Sequence, residues 1–363
     1  MTRVVALLLL GTAALTAQPP GKAELMKLAD QLDAAIQAGD WAQAAQISRT
    51  LKIAVRDERN RSLSAAGSEL ADAILGWLPT DAMTLVVAQQ PFIIKAEEQR
   101  DIPSALDMAR GYVLGLLSAA EKENLLKGLN GRTVKLAAIA IRFGEEPEDN
   151  RPLNSPVPLG LVPYQGCGVY AFAEPVGESV FGRPPDDSIL GHRVWTSKGS
   201  QNDTPDKETY LVAFLKPDVV LSCNNREFFE QMTIRMGAAA QPRALPASLA
   251  EWKYVDRSAP LWGICHYSEK TALIVAGLTG DDKNPEPTGI TVEFGLPSGA
   301  ARARMIAKSD PWQDLAGSPD FHGAAKSREA AAGVWELTVD EKPEAAGMAA
   351  FALMAYLGFV VLV

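Results

Sequence analysis

The hydrophobic pattern of the chain changes at residues 78–81, Leu-Pro-Thr-Asp, and this change constrains the fold more than any other feature. Within residues 22–77 apolar side chains recur every three to four positions, which predicts helices at about 22–38, 41–55 and 62–77. After residue 81 the pattern becomes one of short β-type runs separated by turns. We therefore predict an α+β protein, with an antiparallel sheet backed by helices and an α-helical N-terminal prefix.

Short turns join most of the predicted strands, which favours antiparallel pairing over a doubly wound parallel sheet. Two further helices are predicted, and the first lies at about 104–127. The second begins after Asn224, which we predict as its N-cap because Glu227 follows three residues later, and it ends at Gly237. The strands are predicted at 84–88, 134–143, 167–173, 192–197, 210–215, 219–223, 261–267, 290–294, 301–308 and 335–339.

The domain organisation follows from the same pattern. The order strand, helix, strand, strand occurs after residue 78 and again, more loosely, after residue 260. This repetition is compatible with two related α+β halves. We place an α+β domain or half at 78–237 and a second α+β half at 250–363, and the Pro-containing stretch 238–249 is the predicted seam.

The first 17 residues have the three parts of a secretory signal peptide. Arg3 supplies the positive charge, an apolar run follows, and small residues reach Ala17 before a Gln-Pro-Pro-Gly stretch. The apolar run is too short for a membrane span, although an uncleaved anchor is the alternative. We therefore expect an exported protein, located in the periplasm, the cell envelope or outside the cell.

Charge and cysteine content set further bounds. The net charge is −9 without a basic stripe, which argues against nucleic-acid binding. Three cysteines in an oxidising compartment allow one disulfide, and Cys167 with Cys223 is the favoured pair because both lie in strand-like runs. That bond would be worth roughly 4 kcal/mol on the chain-entropy model. Three buried, reduced thiols, with Cys265 as the third, are the alternative.

The C-terminal residues 345–363 contain no charged side chain over 19 positions. This length qualifies as a transmembrane helix. However, Gly358 divides the stretch, and no Lys or Arg follows it. We favour a buried helix followed by a buried strand, with a membrane tether through residues 345–363 as the alternative.

Two histidines are the weak functional candidates, His266 and His192. The neighbours Cys265 and His266 invite a thiol-protease interpretation, but adjacent residues of a strand point to opposite faces, so they cannot form one thiolate–imidazole couple. We predict no catalytic or cofactor-binding residue and no metal site, because the three histidines lack metal spacing and no recognised motif is present.

Several motifs resemble those of uncharacterised exported bacterial proteins, of the kind grouped as domains of unknown function. They are residues 78–81 with Pro91-Phe92, residues 158–160 with 164–167, residues 221–226, residues 244–246 with Glu251-Trp252, and residues 356–358. The resemblance implies an exported α+β protein and no known activity.

These observations favour a non-enzymatic exported protein that binds a partner or has a structural role. The alternatives are a hydrolase whose site assembles only in space, around His266 or His192, and an envelope protein tethered by its C-terminal run.

Overall fold

The computed structural model describes residues 22–94, 104–115, 117, 128–143, 164–198, 209–238, 242–267, 288–296, 299–340 and 342–357. The predicted signal peptide and the C-terminal strand lie outside these residues. The chain divides into two compact units, residues 1–66 and 67–363. The helices are α1 (Lys22–Gln37), α2 (Trp41–Trp77), α3 (Ala105–Val113), α4 (Arg226–Met236), α5 (Gln313–Gly317) and α6 (Pro343–Tyr356).

The first unit contains a helical hairpin, formed by α1 and the first part of α2. Gly39 has a φ of +71° and allows the sharp turn between the helices, and Asp40 Oδ1 accepts a hydrogen bond from Gln43 N at 3.0 Å. Ala35 and Ala44 are buried where the two helices meet. The prediction of a break between residues 55 and 62 is wrong, since α2 runs on without interruption. Residues 41–66 contain neither Gly nor Pro, so their polar stretch has nothing that ends a helix.

The second unit is built on one antiparallel sheet of 13 strands, which confirms the predicted fold class. Twelve strands follow the order β12-β13-β11-β10-β9-β1-β3-β4-β8-β7-β6-β5, and β2 pairs with β3. The strands are β1 (Thr84–Ala88), β2 (Phe92–Ile93), β3 (Thr133–Phe143), β4 (Tyr164–Phe172), β5 (Asp187–Ile189), β6 (His192–Lys198), β7 (Thr209–Lys216), β8 (Val219–Cys223), β9 (Leu261–His266), β10 (Gly289–Leu296), β11 (Gly299–Ile306), β12 (Ala325–Ala331) and β13 (Val334–Val339).

Strands of both predicted halves join this sheet directly. β1 pairs with β3 on one side and with β9 on the other, so residues from 78–237 and from 250–363 share one hydrogen-bonded surface. Within the predicted seam, Ala244 and Leu245 are buried, and Ala244 N donates to Leu75 O at 3.0 Å. Whether the two halves are related stays a prediction.

Helices cover both faces of the sheet. Face A carries the side chains of Val86, Ile139 and Ile290 and packs against α3 and α6. Face B carries those of Leu85 and Trp262 and packs against the end of α2 and against α4. Because both faces are covered, β1 and β8 are buried at every position.

The predicted C-terminal helix is part of the core of face A. Ala345, Ala349 and Leu353 of α6 are fully buried in the same cluster as α3. Leu357, just after the helix, lies so close to Gly263 of β9 that a Cβ added there would be 2.7 Å from Leu357 Cδ1. No helix in the described ranges is long and apolar enough to cross a membrane.

The predicted capping residue of α4 is wrong by one position. Asn225 is the N-cap, and its side chain accepts a hydrogen bond from Phe228 N at 2.9 Å. Asn224 instead extends the β4–β8 pairing, because its backbone N donates to Gly166 O and its Oδ1 accepts from Gly166 N at 2.7 Å. The first residue free to turn into the helix is therefore Asn225.

Candidate functional site

The two neighbouring candidates on β9 lie on opposite faces of the sheet. Cys265 is buried in the core of face A, and burial raises the pKa of its thiol to about 12. His266 belongs to face B, and its side chain is 43% exposed. A thiol that stays protonated on the far side of the sheet cannot act as a nucleophile activated by this imidazole.

His266 instead meets a carboxylate that the sequence analysis did not single out. His266 Nδ1 lies 3.0 Å from Oε1 of Glu251, whose side chain is only 2% exposed. In the tautomer that carries its proton on Nδ1, the imidazole donates to this carboxylate, and Nε2 is then the nitrogen that can accept a hydrogen bond. The other Glu251 oxygen, Oε2, is buried and has no hydrogen-bond partner within the described part of the chain.

The missing side chain of Gly289 makes room for this carboxylate. Gly289 pairs with His266 across β9 and β10, and a Cβ added to it would overlap Glu251 Oε1. Glu251 lies in a short 3₁₀ turn, Ala250–Lys253, within a segment that crosses face B. We refer to residues 242–260 as the strap.

One hydrogen bond within the strap and two contacts with the sheet and its neighbouring residues hold the strap in place. Trp252 Nε1 donates to Leu245 O at 3.1 Å, and the Trp252 ring packs edge-on against that of Trp262, with 6.3 Å between ring centroids. Gln89 Nε2 donates to Ala259 O at 2.9 Å. Leu245 is buried with a φ of +47°, a strained conformation for Leu that these contacts stabilise.

Next to the strap, alternating charges cross the strands on face B. Glu293 of β10 accepts from Arg302 Nε at 2.8 Å, and Glu336 of β13 accepts from Arg304 Nε at 2.8 Å and from Arg328 Nε at 2.8 Å. Both carboxylates are buried, with exposed fractions of 0% and 2%. These pairs compensate the charges of the two buried carboxylates.

The pKa values of the two buried carboxylates, Glu293 and Glu336, are shifted in opposite directions. Burial raises the pKa of Glu293, and the hydrogen bond from Arg302 offsets this only in part. Burial also acts to raise the pKa of Glu336, but there the hydrogen bonds from Arg328 and Arg304 outweigh it and the pKa is lowered.

The structure does not bring His192 near His266. His192 begins β6 and pairs with Ile189 of β5. Five strands separate β6 from β9 in the sheet, so six spacings of about 4.8 Å put the two strands about 29 Å apart. The two candidate histidines therefore cannot serve one site.

A second polar cluster surrounds Arg142 at the end of β3. Its Nη1 lies 3.2 Å from Asp81 Oδ2 and 3.1 Å from Gln231 Oε1, and its Nε donates to Gln165. Its Nη2 lies 3.7 Å from Glu227 Oε1. Arg142 is 9% exposed, and it links the 78–81 motif to β4 and α4. The charged residue that directly follows the apolar run 136–141 of β3 is the sequence signal that could have indicated this cluster.

The predicted cysteine pair lies beside the same end of β3. Cys167 and Cys223 are directly opposite each other on β4 and β8, with 4.2 Å between their Cα atoms, and they form a disulfide. Cys265 is the free, buried cysteine.

The described residues also contain a groove, between the two helices of the first unit. Its volume is about 450 Å³. Apolar and amide side chains alternate along it, from Leu28, Gln31, Gln43, Gln46 and Ile47. Thr50 adds one hydroxyl, and the lining contains no carboxylate, imidazole or thiol, so it is suited to binding a partner. Throughout the described ranges, no group of three or more His, Cys, Asp and Glu residues could hold a metal ion.

Comparisons with known proteins add little. No protein-family model and no curated protein matches the chain, so the resemblance to uncharacterised exported proteins stays a prediction. Among solved structures, crystal form I of TP0453 is similar at 10% identity and a TM-score of 0.42, over 78% of this chain and 96% of that chain. Crystal form III of TP0453 gives 11% identity and a TM-score of 0.40, over 78% and 97%. These values are too low to support a conclusion about function.

Proposed function

We propose that this chain is a non-enzymatic exported protein that binds a partner or has a structural role. One observation carries the proposal: the sheet separates the thiol of Cys265 from the imidazole of His266, and the partner of that imidazole is a buried carboxylate. Within the described residues His266 has no hydroxyl or thiol as a hydrogen-bond partner. A base without a nucleophile is an incomplete catalytic site.

The other buried charges support the same proposal because they stabilise the fold. Glu293, Glu336 and Arg142 each pair with groups on neighbouring strands or helices. Groups committed to such pairs are not available to bind or convert a substrate without breaking the fold. The groove between α1 and α2 is the concave surface on which we would first look for a partner.

Export is supported by the leader pattern of residues 1–17 and by the cysteines. A disulfide between Cys167 and Cys223 persists in an oxidising compartment and is uncommon in a reducing one. The burial of α6 favours a soluble exported form over a membrane tether, because its apolar residues already have a place in the core.

The proposal is tested by asking whether His266 supports any turnover. Purified protein and the variant His266→Gln are incubated with chromogenic esters, phosphate esters, glycosides and a fluorogenic peptide mixture. We expect the two proteins to show the same background with each substrate. A turnover that is present in the natural protein and lost in His266→Gln, while the fold is unchanged by circular dichroism, would contradict the proposal.

The Glu251–His266 contact favours one second candidate, a hydrolase that uses water as nucleophile. A carboxylate that binds Nδ1 orients an imidazole so that Nε2 can accept a proton from water, as in the acid–base pairs of known hydrolases. For this candidate Glu251→Gln should reduce turnover together with His266→Gln. The same substrate panel therefore separates the two proposals.

A further inference from the structure

The groove between α1 and α2 is lined by side chains without charge. Glutamine, threonine, alanine, leucine and isoleucine make up the lining that the structure describes. The described charged residues of the same hairpin, Lys27, Asp30, Asp33 and Asp40, are not part of it. A charged group that entered the groove would lose contact with water without gaining an opposite charge. The surface of the occupant that contacts the groove is therefore uncharged.

The glutamine amides of the groove are suited to binding a peptide backbone. Gln31, Gln43 and Gln46 are exposed, and none of their side-chain amides has a hydrogen-bond partner among the described residues. Each amide offers a carbonyl acceptor and N–H donors, which are the groups of a peptide bond. An extended chain presents these backbone groups unpaired, whereas a helix has already bonded them internally. The amides therefore match an extended partner better than a helical one.

The size of the groove also favours an extended chain. Its lining spans residues 28–38 on one side and 43–50 on the other, so at 1.5 Å per residue the groove is about 10.5–15 Å long. Its volume of about 450 Å³ then corresponds to a cross-section of about 30–43 Å². An α-helix about 10 Å across needs about 79 Å². A strand with its side chains occupies about 48 Å², the product of the 4.8 Å and 10 Å spacings of packed sheets, so about three or four extended residues with small side chains fit.

The two ends of the groove differ in the side chains that they can accept. Leu28 lies at one end, and Ile47 lies towards the same end because the two helices run in opposite directions from the turn at Gly39. Ala34 and Ala38 lie towards the other end. One end thus offers branched apolar side chains for a hydrophobic contact, whereas the other offers only methyl groups.

We propose that this groove binds an extended, uncharged peptide segment of about three or four residues, which carries one aliphatic side chain at the end near Leu28 and small side chains elsewhere. The glutamine amides bind the backbone of the segment, and Leu28 and Ile47 pack against its aliphatic side chain. This inference rests on the proposed function, because it names the class of partner for the same groove.

The inference is tested on the full chain with blocked tetrapeptides, acetyl-Ala-X-Ala-Ser-amide, in which X is Leu, Val, Asp or Lys. The side-chain amide signals of Gln31 and Gln46 are followed by NMR during each titration. We expect saturable shifts with the Leu and Val peptides. Binding should be at least about tenfold weaker with the Asp and Lys peptides, because their charges would be desolvated without compensation. If neither the Leu nor the Val peptide gives saturable shifts, the proposal is overturned.

Matched variants locate the binding. Ala34→Leu narrows the groove and should weaken binding of the Leu peptide by about tenfold, whereas Ala29→Leu, at an exposed position of α1 outside the lining, should leave it unchanged. Gln46→Glu introduces a negative charge, so this variant should bind the Lys peptide more tightly than the Leu peptide. Gln37→Glu, exposed and outside the lining, should keep the original preference. An unchanged preference in Gln46→Glu would also overturn the proposal.

Two further outcomes are distinguished by the same measurements. If an alanine-rich peptide of about 16 residues, long enough to form a helix, shifts these amide signals and the tetrapeptides do not, the partner is helical and the proposal is overturned. Failure of the proposed function is observed separately, as turnover that is lost in His266→Gln. Absence of peptide binding overturns only the inference about the groove, because a structural role of the chain does not require it.

Discussion

Arg304 of β11 donates from Nε to Glu336 Oε2 of β13 at 2.8 Å, and the same guanidinium lies 3.7 Å from Glu293 on its other side. One cation thus lies between two buried carboxylates on neighbouring strands. The carboxylate with two guanidinium donors, Glu336, has a lowered pKa, whereas Glu293 has a raised one. The two guanidinium donors of Glu336 outweigh the effect of its burial, whereas the donors of Glu293, which are Arg302 and the backbone N of Asp256, offset its burial only in part.

This difference predicts opposite pH dependences for two matched variants. The folded pKa of Glu336 is depressed, so its contribution is present above the ordinary value of 4.5 and is lost as the pH falls through the folded pKa. Glu336→Gln should therefore lower the free energy of unfolding by about 1.5–3 kcal/mol at pH 7 and by less in acid. Urea unfolding at a series of pH values measures this.

Glu293 should give the reverse trend. Its folded pKa is raised, so the folded state holds a proton up to a higher pH than the unfolded chain, and its ionisation costs stability above that pKa. Glu293→Gln should thus remove a fall in stability with rising pH above 4.5, measured in the same urea series. Parallel pH profiles for the two variants would contradict the assignment.

Gly289 should not tolerate a side chain. In Gly289→Ala the new Cβ would overlap the Glu251 carboxylate, which is confined by the strap above it. We expect a loss of about 1–3 kcal/mol in the free energy of unfolding, as for other overpacked sites. Gly111→Ala in α3 is the control, because nothing lies within 4 Å of its added Cβ and the change should be neutral or stabilising. Equal losses in both variants would show that Glu251 is not held in this position.

The C-terminal helix offers a matched pair of truncations. Leu353 is fully buried, whereas Phe351, two residues earlier in α6, is 44% exposed. Leu353→Ala should cost about 2–5 kcal/mol through the cavity it leaves, and Phe351→Ala well under half of that. Thermal and urea unfolding measure both. The membrane tether through residues 345–363 would be the better interpretation under two conditions. The two variants would have to be equally stable in solution, and both substitutions would have to release the protein from a membrane fraction.

The disulfide makes a prediction about thiol counts. Protein unfolded without reductant should react with one equivalent of iodoacetamide, at Cys265, and with three equivalents after reduction. The double variant Cys167→Ala, Cys223→Ala should lose roughly 4 kcal/mol on the chain-entropy model, since the bond joins residues 56 apart. Three reactive thiols before reduction would restore the alternative of three free cysteines.

Much of the fold could be predicted from the sequence because its elements depend on local patterns. The alternation of Ile290, Val292 and Phe294 with Thr291 and Glu293 predicts a strand, and β10 includes all five. The prediction that one face of this strand meets water is wrong, because Thr291 and Glu293 are buried as well. The run of Val219–Cys223 is predicted at the same bounds that β8 has in the structure. Such patterns involve neighbours along the chain, so no knowledge of the fold is needed to recognise them.

Local patterns failed where a contact between distant residues decided the outcome. Asn224 has the residue type of an N-cap, but its hydrogen bonds to Gly166 in β4 assign it to the sheet and leave the cap to Asn225. The predicted break in α2 failed for another reason, since polar residues alone do not end a helix.

The amino-acid sequence by itself therefore determined the fold class, most strand positions and the two cysteines that could pair, because each depends on residue type and spacing along the chain. Only the tertiary structure decided that the partner of His266 is Glu251. That contact depends on the face to which β9 turns each side chain and on the path of the strap over Gly289. Neither is a property of neighbouring residues, since both arise from strand pairing and packing across the whole sheet.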